Sequence, residues 1–307
     1  MYQYPEPLAS PGTSCPIDDP DWQRKRILAA ADDIVLQKYN YCHHHVPTWI
    51  PPNTPRMRVS GQDSQRSAKD TSPMTCTSRR NIKGLQAAPD QPMFKDSDVK
   101  WQGFDCSDFT TYLYDFSLGV KLEHLSSQID QQACEATTAG ILLDINANNV
   151  KTFQEALLPG DLLYIMAGAS SGHTEISHVV VWTGQTYGQI SQRANAKTIL
   201  GADFQSYGEV STDTPMIVDS HYAGAAYRPF LGWYMQSLSH VRRIIGHYPG
   251  SKQESPPPGV PQLSVQQCES TGTCTAQDSC APVFQRAQKG GGTCKRPANF
   301  LTDCRPQ

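Results

Sequence analysis

No stretch of this 307-residue chain approaches the roughly 20 consecutive apolar residues that a membrane span needs. A basic excess is missing too. Lys plus Arg number 26 against 29 Asp plus Glu, a net charge of -3, so neither a nucleic-acid backbone nor an anionic bilayer is an expected partner. The start, Met1 to Pro5, is neither basic nor followed by an apolar run, so no export signal is legible. Internal repeats, phosphate-binding glycine loops and heptads are lacking. So is any Cys-x-x-Cys or His-x-x-x-His pair. That leaves Cys42-His43-His44-His45 without a matching second cluster to complete a zinc site, and a histidine-rich rim of a cleft is the preferred reading.

Cysteine, by contrast, is abundant. Five of the ten (Cys268, Cys274, Cys280, Cys294, Cys304) crowd into the last 40 or so residues, a density more usual in oxidising compartments. A secreted or cell-envelope protein whose signal peptide has been removed is expected, with disulfides holding the apolar-poor tail together. Cys42 has Cys15 or Cys76 as alternative partners.

Composition divides the chain into an extended arm (1–20), a main domain (21–246) with a polar, proline-broken insertion at about 44–100, a Pro-rich linker (247–262) and a Cys-rich appendage (263–307). Asp19-Pro20 supplies an N-cap and a first-turn proline. Ile27, Leu28, Ala31, Ile34 and Val35 then recur at helical spacing, predicting a helix over about 21–38. A second helix is predicted from Asp105 to Gly119, with Cys106, Phe109, Tyr112, Leu113 and Phe116 on its core face. Beyond Pro159-Gly160 the pattern changes to short β-rich runs at 161–167, 176–183, 216–221, 227–233 and 239–245. Helices first and strands afterwards predict an α+β domain, with N-terminal helices on a central antiparallel sheet.

The sharpest local sequence is Gly103-Phe104-Asp105-Cys106-Ser107-Asp108. A thiol in the first turn of a helix meets unpaired N–H groups and the positive end of the helix dipole, which favour thiolate and can hold an oxyanion. A cysteine nucleophile needs an imidazole base and a polar group to orient it. His178 opens the apolar run Val179-Val180-Val181-Trp182, so a strand can fix its backbone at a cleft. On the next run, alternation puts Asp219 and His221 on one face, and either can reach the imidazole.

In order along the chain, four blocks resemble those of the NlpC-type cell-wall peptidases. Tyr39-Asn40-Tyr41-Cys42-His43 resembles the family's Tyr-x-Trp/Tyr-Gly-Gly. Gly103 to Ser107 matches Gly-Phe-Asp-Cys-Ser, with Asp108 where the family has Gly. Leu157-Leu158-Pro159-Gly160-Asp161-Leu162 matches Leu-x-Pro-Gly-Asp-Leu, and Ser177 to Gly184 resembles Ser-His-Val-Gly-Ile-Tyr-x-Gly. The resemblance implies a papain-like fold over about 21–246, with Cys106 as nucleophile and His178 as base. Tyr39, Asp105 and Ser107 would line the substrate pocket, and no metal or organic cofactor would be needed. It also implies a substrate, the amide bonds of peptidoglycan stem peptides, especially that between γ-D-glutamate and a diamino acid. Family members usually carry His as the third residue, about a dozen positions after the base. Here Asp219 and His221 follow His178 by 41 and 43 residues, so Gln185 to Pro215 reads as an insertion and the third position stays open between them. Two other readings remain. One is a non-catalytic wall- or host-binding protein on a decayed scaffold, motivated by the altered glycines. The other is an amidase or acyltransferase of the same fold with another substrate.

Overall fold

The computed structural model describes residues 19–36, 40–42, 75–77, 91–92, 103–118, 120, 122, 140–166, 176–201, 203–221, 223–248 and 251–263. The N-terminal arm, Tyr39, His43 to His45, most of the 44–100 insertion and the Cys-rich tail lie outside them.

Helix α1 (Pro20–Leu36) starts where the sequence places it, because the Asp19 carboxylate accepts the Trp22 backbone N–H at 2.9 Å. Ile27, Ala31, Ile34 and Val35 are buried along its inner face. Helix α2 (Cys106–Leu118) packs against α1 and buries Phe109, Tyr112, Leu113, Tyr114 and Leu118, so it is enclosed on more than the single stripe predicted. Arg26 of α1 donates to the Ser117 carbonyl in the last turn of α2 at 2.8 Å and ties the two helices together.

Short strands β1 (Asn40–Cys42), β2 (Thr75–Thr77), β3 (Gln91–Pro92) and β4 (Gly103–Phe104) form a small sheet in the order β3-β2-β1-β4. The insertion thus supplies two strands. β1 runs parallel to β4, the segment leading into Cys106, and Cys42 stands directly opposite Cys76.

The main sheet has seven strands: β5 (Ile141–Leu143), β6 (Leu162–Ile165), β7 (His178–Thr186), β8 (Pro215–His221), β9 (Gly224–Pro229), β10 (Leu238–Arg243) and β11 (Gln262–Leu263). Their order is β11-β5-β10-β6-β7-β8-β9, and every neighbouring pair is antiparallel. Val179, Val181, Met216, Val218 and Tyr227 face α1 and α2, while Val180, Trp182, Ile217, Phe230 and Val241 form a second core on the other face. With both faces buried, the strands read as continuous apolar runs rather than as alternating ones. Each such side chain contributes on the order of 1.5–3 kcal/mol on burial. Among the described residues, no helix is long and apolar enough to cross a membrane.

Local interactions explain the Leu-Pro-Gly-Asp block. Gly160 adopts φ 93°, and a Cβ there would meet the Ile245 side chain at 2.9 Å. Asp161 then turns inward to accept two hydrogen bonds from Arg243, at 2.9 and 2.6 Å, and one from the Leu158 N–H at 2.9 Å. The block is a corner that joins β6 to β10.

Two expectations are corrected. The run predicted as a strand over 227–233 ends at Pro229, because proline cannot continue the ladder. Gly232 (φ 53°) then starts a helical turn at Trp233–Gln236. Also, the described part of the Pro-rich segment does not hang free. Arg24 holds Glu254, Val260 is buried in the second core, and β11 completes the sheet edge on β5.

Candidate active site

Cys106 is the first residue of α2, with Asp105 immediately before it accepting the Phe109 N–H at 3.0 Å. Ser107 donates to the Asp105 carboxylate at 3.0 Å, which keeps both flanking side chains turned into the protein. Within this pocket the thiol is 5% exposed and accepts backbone N–H groups from Ser107 and from Val179. The Val179 contact brings the sulfur to the peptide unit that follows His178.

The N–H donors favour thiolate, as the helix start suggests, yet they do not prevail. Burial first, and the Asp105 carboxylate second, push the Cys106 thiol well above its usual range, with Asp219 adding to them. The expected thiolate is therefore corrected to a resting neutral thiol. No hydrogen bond joins that thiol to the His178 imidazole among the described residues.

His178 opens β7 and is itself buried. Its Nε2 lies 2.6 Å from Asp219 Oδ2 on β8. This contact makes Nε2 the protonated nitrogen and leaves the Nδ1 lone pair available as a base. Asp219 is fully buried and saturated with partners. Oδ2 also accepts the Tyr234 hydroxyl at 3.0 Å, and Oδ1 is held by Arg228. Burial alone would raise its carboxyl. The Arg228 guanidinium, then the His178 hydrogen bond, outweigh that and hold it well below the usual carboxylate range.

His221 shares the face of Asp219 but plays a different geometric part. Its ring lies 4.7 Å from that of His178 and is stacked on Trp233 at 5.7 Å and 8°. It walls a cleft of about 340 Å³ that Tyr207, Leu231, Gly232, Trp233 and Tyr234 complete. Of the residues singled out from sequence, the structure thus brings His178, Asp219 and His221 together, with Cys106, Asp105 and Ser107 at the adjoining helix start. Tyr39 falls outside the described residues.

The ligand atoms of His178, Asp219 and His221 lie within 4.8 Å of one another, a spacing that a cation could in principle bridge. The trio does not suit a resident metal. Both Asp219 oxygens are already committed, and the guanidinium of Arg228 beside them repels a second positive charge.

Sequence reasoning missed Arg228, Tyr234, Tyr207 and Trp233. One signal was present: a lone Arg in the apolar run Ala225-Ala226-Tyr227 demands a buried carboxylate. In the β8–β9 register Arg228 stands opposite Ile217, diagonal to Asp219.

No curated protein matches this chain. Residues 94–208, which carry Cys106 and His178 but stop short of Asp219, match the model of the NlpC/P60 family, a family of cysteine peptidases and amidases associated with peptidoglycan.

Proposed function

We propose that this protein is a secreted, papain-like cysteine peptidase that hydrolyses amide bonds in peptidoglycan stem peptides, at the bond between γ-D-glutamate and a diamino acid. Cys106 is the nucleophile, His178 the base and then the acid, and Asp219 the residue that orients the imidazole. The observation that carries this reading is the 2.6 Å contact between His178 Nε2 and the buried Asp219 carboxylate beside a cysteine at a helix start.

In the reaction, His178 Nδ1 takes the thiol proton as sulfur attacks the amide carbonyl, and first-turn N–H groups of α2 stabilise the oxyanion. The imidazolium then protonates the leaving amine. Water, deprotonated by the same imidazole, hydrolyses the thioester and returns the thiol. Asp219 keeps Nε2 protonated throughout, and its negative charge favours the transient imidazolium.

The test is incubation with purified muropeptides. Wild type should release stem fragments and Cys106→Ala should not; release surviving that substitution would remove Cys106 from the reaction. The raised thiol and the missing thiol–imidazole hydrogen bond favour a second reading, a binding protein on a retired peptidase scaffold. A wild-type protein that binds muropeptides without cleaving them would establish that one.

A further inference from the structure

The segment between β7 and β8, Gln185 to Pro215, converges on Asp219 from two sides. Its Asp203 accepts from Arg228 Nε at 2.8 Å, and the same guanidinium holds Asp219 Oδ1. Its Tyr207 lines the same cleft as Tyr234, whose hydroxyl donates to Asp219 Oδ2 at 3.0 Å. Two routes therefore run from one insertion to a single buried carboxylate and on to Nε2 of His178. Arg228 has no exposed side-chain surface, whereas the Asp203 side chain is 17% exposed, so the outer carboxylate closes the network at the protein's rim.

We infer that Asp203 and Tyr207 are positioning residues for the reaction, the means by which this insertion holds Asp219, and through it the tautomer and orientation of His178. The inference rests on the catalytic reading above. A buried Arg between two carboxylates cannot turn toward either one alone without stranding the other. With Asp203 in place, Arg228 is fixed at both ends and its charge is shared. Without it, the whole guanidinium charge falls on Asp219, and the carboxylate becomes a weaker acceptor for Nε2–H. Tyr234 shares Oδ2 with His178, so the placing of Tyr207 beside it in the cleft governs how that oxygen is divided. Among the described residues, the charged and titratable groups facing Asp219 and His178 are Cys106 from α2, His221 from β8, Arg228 from β9, Tyr207 from the insertion and Tyr234 beyond β9.

The test is Asp203→Asn. The amide oxygen can still accept from Arg228 Nε, and the amide nitrogen replaces Oδ1, which has no hydrogen-bond partner now. Shape is kept and only charge is lost. With muropeptide substrate, kcat should fall about tenfold with little change in KM, and Asp203→Glu should recover part of the loss. A substrate-independent readout is the side-chain 15N spectrum of Cys106→Ala protein, with His178 assigned by its absence in His178→Gln. Asp203 intact should give one tautomer with hydrogen on Nε2, and Asp203→Asn should broaden or divide that signal. Tyr207→Phe should act in the same direction and covers the case of a poorly folded Asp203→Asn. An unchanged tautomer signal in a folded Asp203→Asn or Tyr207→Phe protein overturns the inference, as does a drop in thermal stability with kcat intact. A tautomer change in a wild type that cleaves nothing would refute the hydrolase reading while leaving the positioning intact.

Discussion

Asp219, not His221, makes the hydrogen bond to His178, although both sit on the same face of β8. Asp219→Asn should therefore lower kcat for muropeptide cleavage on the order of a hundredfold. An amide nitrogen turned to Nε2 would favour the wrong tautomer. His221→Gln, which removes the ring stacked on Trp233 but leaves the Asp219 partner of Nε2 in place, should retain most of the rate. Steady-state kinetics on folded samples of both proteins check this, and a larger loss at His221 would reverse the assignment.

Trp233, 37% exposed, stacks on His221 at the mouth of the cleft, where an exposed indole has little structural reason to stand. Trp233→Ala should raise KM several-fold and change kcat less, since the indole packs 5.6 Å from the His178 ring while the hydrogen bond that orients the imidazole comes from Asp219. A fall in kcat alone would instead place it in the chemical step.

Burial holds the Cys106 proton more tightly in the folded protein than in the unfolded chain. That contribution to stability is complete below the ordinary thiol value of about 8.5 and is lost as pH rises toward the elevated folded value. Melting temperature of wild type should fall more steeply above about pH 8.5 than that of Cys106→Ala. Parallel curves would mean that the thiol ionises freely in the fold.

Cys42 and Cys76 are directly opposed in the β1–β2 register. Antiparallel partners have Cα separations of about 4.5–5.5 Å, within the span of a disulfide. Under oxidising conditions, peptide mapping without reductant should recover a fragment linking 42 to 76. Recovery of both as free thiols from protein held under those conditions would exclude the bridge.

Glu254 closes the C-terminal strap onto Arg24, which is nearly buried. Glu254→Gln should cost about 1 kcal/mol, since part of the pair is screened by solvent. Chemical denaturation measures it, with catalytic constants unchanged because Glu254 pairs with Arg24 of α1 and not with Cys106, His178 or Asp219.

Periodicity and capping are local, and so α1 and α2 were legible: Asp19-Pro20 marks one start, and the Cys106, Phe109, Tyr112, Leu113 stripe marks the other. Strands β5 and β11 were not, because two or three residues carry no period, and Pro256 to Pro258 dominates the composition beside the docked Val260. At the site, Cys106 and His178 were legible from residue type and from position at an element's start. The choice between Asp219 and His221 was not, because alternation places both alike and only the third dimension supplies Arg228. The thiol's acidity was misjudged for a related reason. A helix start is visible in sequence, but the desolvation that opposes it is not.

The order of the main sheet places β11 at one edge and the His178–Asp219 pair on β7 and β8, four and five strands away. At about 4.8 Å per strand, Leu263 stands some 20 Å from the reacting groups, at the opposite margin. The described fold therefore ends at a margin well away from the cleft, and substitutions along β11 and the strap before it can be made without altering the surface that His221 and Trp233 present.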